Sequence, residues 1–178
     1  MLSAVAGFAV ALIGFVQFKA GETVTVADAD WIPSLGIRYH LAADGISLTL
    51  VLLTGLAAIA GILFSWNIEN RAKEFFAFYL ALIGGVYGVF LSFDAFLLFV
   101  FYELAIIPKY FLIAIWGSTQ KEYGAMKLAL YSFVGSAMVL VVLIAVYVVA
   151  GTRTMDLEVL AHFPFPRAFQ LWAFPLSF

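Results

Sequence analysis

Long apolar runs, separated by short polar segments, dominate the amino-acid sequence. A helix needs about 20 mostly apolar residues to cross the hydrocarbon core of a bilayer, and several runs approach or reach that length. They predict helices at about 2–18, 46–66, 75–92, 94–116 and 125–150, and the start of a further helix at 171–178. The predicted fold is therefore all-α and integral to the membrane, with about five transmembrane helices in a single membrane domain.

Polar residues mark where several of these helices begin. Asp44 precedes the run at 46–66 and can accept hydrogen bonds from the free N–H groups of a first helical turn. The apolar stretch from Phe75 to Gly117 is too long for one crossing and is interrupted only near Ser92 and Asp94. We therefore expect two helices joined by a tight turn, with Ser92 or Asp94 capping the second.

Small and polar residues predict how the helices pack and connect. Gly84, Gly85 and Gly88 give the helix at 75–92 a smooth face on which a neighbouring helix can pack closely. The segment from Lys19 to Ala43 is polar and acidic and contains the turn sequence WIPSLG. This composition predicts a structured external loop.

Composition supports a bilayer environment and excludes several classes of function. Hydrophobic residues make up 65% of the chain and charged residues 11%, and the mean hydropathy is +1.08, a balance that no soluble domain of this length needs. The absence of cysteine and the presence of only two histidines argue against disulfides, zinc clusters and iron–sulfur ligation. A net charge of −2 with scattered basic residues argues against nucleic acid as a partner. Since catalytic and phosphate-binding motifs are also missing, we predict no cofactor or metal site in this chain.

Two ionisable residues interrupt the apolar run FLLFVFYELAIIPKYFLIAIWG. If its helix begins near Asp94, Glu103 lies about 13 Å along the axis, close to the midplane of a hydrocarbon core about 30 Å thick. A charge at that depth costs at least about 2.5 to 3.5 kcal/mol, so such residues indicate function. Lys109 follows six residues later, rotated by about 240°, and points from a different face. Each of the two therefore needs a partner on another helix.

A carboxyl group inside a membrane can act as a proton switch. Desolvation raises the pKa of a carboxyl group, whereas a nearby cation lowers it. A cation that moves away from Glu103 and then returns would make this side chain bind and release a proton. The alternative is a structural polar contact that locks two helices together.

Three further residues are candidates for a role near these charges. Pro108 removes one helical hydrogen bond and predicts a bend that leaves the Leu104 carbonyl free for water, with a kink of no function as the alternative. Lys127 lies in the first turn of the helix at 125–150, where snorkelling to the interface is the alternative to a functional role. His40 is interpreted as a titrating surface group of the external loop.

Four segments, in order between about Asp30 and Phe178, resemble one family. They are ADWIPSLGIRYHLAADGISLTLVLLTG, the SW that ends the second helix, FYELAIIPKYFLIAIWG and KEYGAMKLALYSFVGSAMVL. Together they resemble the M-subunit (chain 4) family of bacterial respiratory complex I, the proton-translocating NADH-quinone oxidoreductase. Antiporter-like subunits of Mrp antiporters and membrane-bound hydrogenases are also similar. The resemblance implies a fragment of a 14-helix antiporter-like fold, incomplete at both ends and containing helices two to six.

The resemblance also implies roles for residues. Glu103 matches the family's essential glutamate on the fifth helix, which pairs with a lysine and takes part in proton transfer. Lys127 matches the lysine that opens the sixth helix in the motif A-x-K-x-x-x-Y, here Ala125 to Tyr131. Lys109 departs from the family, which places an apolar residue after the proline. We hypothesise that Lys109 supplies positive charge that elsewhere comes from the seventh helix, so the proton-transfer candidates are Glu103, Lys127 and Lys109.

The implied function is that of a membrane subunit of a proton-pumping NADH:quinone oxidoreductase in the bacterial inner (cytoplasmic) membrane. It would be a translocase subunit without a redox active site of its own. NADH, FMN, iron–sulfur clusters and quinone would then be bound by partner subunits of the complex. The expected partners are the other membrane-arm subunits and the lipid bilayer. The alternatives are an Mrp-type cation/proton antiporter or membrane-bound hydrogenase subunit, and a structural fragment that transports nothing.

Overall fold

The computed structural model describes residues 1–18, 22–151 and 154–177. Helices and one hairpin account for most of this part of the chain. The helices are α1 (Leu2–Gln17), α2 (Gly45–Phe64), α3 (Ala72–Leu91), α4 (Ala95–Trp116), α5 (Lys121–Ala150), α6 (Leu157–Ala161) and α7 (Arg167–Ser177), and the strands are β1 (Val24–Ile32) and β2 (Ile37–Ala43).

Within the described residues, four helices are long and apolar enough to cross a membrane. They are α2, α3, α4 and α5, with 20, 20, 22 and 30 residues. The first helix, α1, is apolar but shorter, at 16 residues. The helical membrane fold predicted from the sequence is confirmed, with four helices of full length and one shorter apolar helix in place of about five spans.

The hairpin departs from the all-α prediction. Strands β1 and β2 pair antiparallel, from Val24 opposite Ala43 to Ile32 opposite Ile37, where we expected a structured external loop without naming strands. The turn between them is a 3₁₀ segment closed by Gly36, whose φ of 66° favours glycine. Exposure along most of β1 leaves little of the inside–outside alternation that identifies a strand. Residues 19–21 of the predicted loop, including Lys19, lie outside the described residues.

Side-chain caps fix the first turns of α2 and α4. Asp44 accepts a hydrogen bond from the Ser47 N–H at 2.6 Å. Asp94 accepts from the N–H groups of Phe96 and Leu97 at 2.9 and 3.0 Å. Of the two candidate caps for α4, Asp94 is thus the one used, whereas the Ser92 hydroxyl donates to the Gly88 carbonyl of the preceding helix at 2.6 Å.

Three helices begin earlier than predicted. The sequence placed the starts at about 75, 125 and 171, but α3 begins at Ala72, α5 at Lys121 and α7 at Arg167. The added first turns carry polar residues, which the apolar pattern alone assigns to loops. Backbone hydrogen bonding can continue past the apolar run, so helices extend beyond the hydrophobic signal. Phe178, the last residue of the predicted final helix, lies outside the described residues.

Close approach of α3 and α4 forms the centre of the bundle. A Cβ atom at Gly85 would lie 3.0 Å from the Ala105 Cβ, and one at Gly88 would collide with the ring of Phe101. At the other end of the interface, Phe78 and Phe111 stack with ring centroids 5.0 Å apart. Two of the three glycines of the predicted smooth face therefore pack as expected, since no described atom lies within 4 Å of a Cβ at Gly84.

The hairpin, the α3–α4 turn and the segment before α6 meet in one junction. The Phe93 N–H donates to the His40 carbonyl at 2.9 Å, and the Phe93 carbonyl accepts from Leu157 at 2.9 Å. The Ala95 N–H donates to the Met155 carbonyl at 2.8 Å. These backbone bonds join three distant parts of the chain at the point where α4 begins, and so position the helix that carries Glu103.

Candidate functional site

Glu103 is the ninth residue of α4, deep in its apolar sequence. Its side chain is partly buried, but the Oε1 atom is fully enclosed and has no hydrogen-bond partner among the described residues. An enclosed carboxylate oxygen without a donor carries a desolvation cost of about 1 to 3 kcal/mol, and more when charged. Glu103 is therefore a partly buried acid with one enclosed oxygen that has no donor among the described residues.

Lys109 lies in the same helix but forms no described contact with Glu103. Its side chain is exposed, and six residues of helix rotate it by about 240° from Glu103. Pro108, directly before it, is buried within α4, which continues as a helix to Trp116. Because proline has no N–H, the Leu104 carbonyl lacks its usual helical donor. The proline thus removes the usual donor of a carbonyl one residue after Glu103, and helical rotation places Lys109 on another face.

Lys127 lies on α5, and its side chain is exposed. It follows the buried Ala125 by two residues, or about 200° of helical rotation. Its Nζ atom lies 5.8 Å from the ring centroids of Tyr123 and Tyr131. The two tyrosine rings of its own helix are therefore the described neighbours of the Lys127 ammonium.

The three predicted proton-transfer residues are not brought together by the described part of the chain. None of Glu103, Lys109 and Lys127 has an opposite charge within 4.0 Å there. Nor do the described residues include a group of three or more His, Cys, Asp or Glu side chains that could hold a metal ion. These three residues are thus one acid with an enclosed oxygen and two separate cations.

A buried cluster at the junction was not found from the sequence. His40 was interpreted as a surface group, which is wrong: its side chain is only 12% exposed, and its Nδ1 lies 3.3 Å from Asp156 Oδ2. The pair is at ion-pair distance without hydrogen-bond geometry, since Nδ1 has no hydrogen-bond partner. Asp156 Oδ1 meanwhile caps α6 by accepting from the Glu158 N–H at 2.9 Å. The sequence carries a local signal for this cap, because the bonded groups are two residues apart. It carries none for the contact between His40 and Asp156, because these residues are far apart in sequence.

Asp94 belongs to the same cluster and does more than cap α4. Its side chain is fully buried, with 0% exposure. Besides the two N–H groups of α4, it accepts the Arg38 N–H of β2 at 3.2 Å. Three donors from two elements stabilise this carboxylate, in contrast to Glu103 on the same helix.

Comparison with known proteins shows a family match. Residues 92–176 match the family model described as NADH:quinone oxidoreductase/Mrp antiporter, TM. The NADH-quinone oxidoreductase subunit M of Rhodobacter capsulatus is 38% identical over 157 residues, which are 88% of this chain and 30% of that protein.

Solved structures show the same architecture. The structure of respiratory complex I from Thermus thermophilus with bound NADH contains a chain that matches with a TM-score of 0.88 and 25% identity, over 99% of this chain and 37% of that one. A chain of the Mrp complex from Dietzia sp. matches with a TM-score of 0.85 and 19% identity, over 97% of this chain and 19% of that one. The present chain thus spans well under half the length of these relatives.

Proposed function

We propose that the chain forms part of subunit M of a respiratory complex I and translocates protons. The basis is that it belongs to the family of antiporter-like membrane subunits of NADH:quinone oxidoreductases and Mrp antiporters. The family resemblance read from the sequence is confirmed by these matches. The observation that supports proton transfer is the enclosed Oε1 of Glu103, held within a helix long enough to span a membrane.

The proposed mechanism is electrostatic. An approaching cation favours the charged form of a carboxyl group, and its withdrawal removes that stabilisation. Movement of a lysine toward Glu103 would release its proton, and withdrawal of that lysine would allow another to bind. Lys109 and Lys127 are the proposed proton-transfer cations within this chain. The free Leu104 carbonyl beside Glu103 would accept a hydrogen bond from a water on the path.

The proposed partners follow from the same assignment. The chain crosses the membrane several times, and we place it in the bacterial inner (cytoplasmic) membrane with the other membrane-arm subunits of complex I. NADH oxidation and quinone reduction, with FMN and iron–sulfur clusters, would occur on partner subunits. Protons would be the species that this subunit itself moves.

A second candidate function is a subunit of an Mrp-type cation/proton antiporter. The TM-score of 0.85 to a chain of the Mrp complex favours it, as does the family model that covers both types of complex. A membrane-bound hydrogenase subunit and a structural segment without transport are the remaining alternatives. Purification of the complex from native membranes separates these functions. Co-purifying NADH-oxidising and quinone-reducing subunits are expected for complex I, and their absence would favour an antiporter.

The test of the proposed proton carrier is Glu103→Gln in the assembled complex. Glutamine keeps the size and hydrogen-bonding shape of the side chain but cannot bind and release a proton. We expect proton translocation to fall about tenfold or more, because a positioned acid or base makes a large contribution to the rate of proton transfer. Glu122→Gln is the matched control, since Glu122 is exposed in the first turn of α5, and it should pump normally. Normal pumping by a correctly assembled Glu103→Gln complex would refute the role of Glu103.

A further inference from the structure

Lys127 lies between two tyrosine rings on one face of α5. Its Nζ atom is 5.8 Å from the ring centroid of Tyr123 and 5.8 Å from that of Tyr131. Both distances are within the range of about 6 Å for a cation–π contact. Spacings of four residues in each direction place the three side chains in a row along the helix. We propose that Tyr123 and Tyr131 are positioning residues that clamp the Lys127 ammonium, an inference that rests on the proton-transfer function proposed above.

The ring faces, rather than the tyrosine hydroxyls, are the described partners of Lys127. Within residues 1–18, 22–151 and 154–177, Lys127 has no carboxylate within 4.0 Å. Neither hydroxyl forms a hydrogen bond with another described residue. Both tyrosines are largely exposed, at 66% and 69%, so packing among the described residues does not explain their positions. The electron-rich faces of the rings are the feature that the lysine uses.

The direction of the side chains makes the clamp different from simple snorkelling. Helical side chains tilt toward the N-terminus of their helix, so Lys127 leans toward Tyr123 and Tyr131 leans back over Lys127. A lysine that only sought the interface would move toward Tyr123 and lose the ring of Tyr131. Holding both rings keeps the ammonium between Tyr123 and Tyr131, 5.8 Å from each ring centroid. The clamp therefore sets the position of the charge along α5.

The clamp predicts how proton translocation responds to changes in the rings. Tyr123→Leu and Tyr131→Leu each remove one cation–π contact, and each should lower translocation by the assembled complex about two- to fivefold. Tyr123→Phe and Tyr131→Phe keep the ring and should retain translocation within about twofold. Translocation is measured in native membranes as protons moved per quinone reduced. Phe133→Leu removes another exposed aromatic ring of α5 and serves as the matched control, with no change expected.

A double-mutant comparison tests whether the rings act through Lys127. In a Lys127→Met background, Tyr123→Leu and Tyr131→Leu should cause no further loss. Further loss in that background, or loss in the phenylalanine variants equal to that in the leucine variants, would overturn the clamp. If Lys127→Met and Glu103→Gln both leave translocation unchanged, the proposed function fails instead. If Lys127→Met lowers translocation but neither leucine variant does, the clamp is overturned and the proposed function stands.

Discussion

Two carboxylates on α4 differ in what surrounds their oxygen atoms. Asp94 is fully buried and accepts three backbone N–H groups, so both of its oxygens have donors. Glu103 has an enclosed oxygen without any donor among the described residues. At the scale of single residues, this contrast separates a structural acid from a candidate proton carrier.

The role of Lys109 is tested by Lys109→Met. This change removes the cation but keeps an unbranched apolar side chain of similar length. If Lys109 supplies positive charge to the proton path, translocation by the assembled complex should fall several-fold, and Lys109→Arg should retain most of it.

Lys73→Met is the control for this change, because Lys73 is an exposed lysine in the first turn of α3. It should leave translocation unchanged. Equal translocation by the Lys109→Met complex and the wild type would show that Lys109 takes no part in proton transfer.

At the scale of helices, the contact between α3 and α4 depends on two glycines. Gly85 and Gly88 allow the backbone of α3 to approach Ala105 and Phe101. This approach determines which side of α4 is covered, and so where Glu103 lies relative to the rest of the bundle.

Adjacent glycines offer a matched pair of substitutions. A larger residue at Gly85 meets Ala105, whose Cβ lies 3.0 Å from a Cβ built at Gly85, whereas the same residue at Gly84 meets no described atom within 4 Å. Gly85→Leu should destabilise the protein by about 1 to 3 kcal/mol through overpacking. Gly84→Leu should be neutral or stabilising by up to about 1 kcal/mol, because leucine favours the helix more than glycine.

Thermal unfolding of the purified protein in detergent measures both variants. Since both substitutions raise helix propensity equally, the difference between them isolates the packing term. Equal melting temperatures for the two variants would contradict the close α3–α4 contact.

At the scale of the whole molecule, one junction holds together segments that are far apart in sequence. Backbone bonds connect His40 of β2, Phe93 of the α3–α4 turn, and Leu157 at the start of α6. Asp94 adds a side-chain bond to the Arg38 N–H. The junction joins the hairpin to the start of α4 and to the segment that connects α5 with α6.

Asp94→Ala should therefore weaken both the cap of α4 and the contact between α4 and the hairpin. The change removes the acceptor of three N–H groups in a buried place, where each unpaired group costs about 1 to 3 kcal/mol. We expect a loss of about 2 to 5 kcal/mol of stability and faster proteolysis of the hairpin.

Asp30→Ala is the control on the same hairpin, since the Asp30 side chain is 73% exposed and should change stability by less than about 0.5 kcal/mol. Thermal unfolding and limited proteolysis in detergent measure both variants. If Asp94→Ala loses no more stability than Asp30→Ala, the junction does not hold the hairpin.

Residues whose partners lie nearby in sequence were predicted well. Asp44 and Asp94 were identified as candidate caps, because a cap bonds to N–H groups only two or three residues away. His40 was misread because its contact with Asp156 crosses most of the chain and leaves no local pattern. The hairpin was missed because β1 is exposed along most of its length and shows little alternation of burial, while its partner β2 is buried mainly at its two ends.

The sequence by itself determined the environment of the chain, the approximate spans of its helices, the caps of α2 and α4, and the presence of Glu103 within an apolar run. These follow from hydropathy and from contacts within one or two helical turns. Only the tertiary structure decided that Gly85 packs while Gly84 does not, and that His40 and Asp94 lie together in one junction. Such facts depend on which distant segments meet, and this depends on the path of the whole chain.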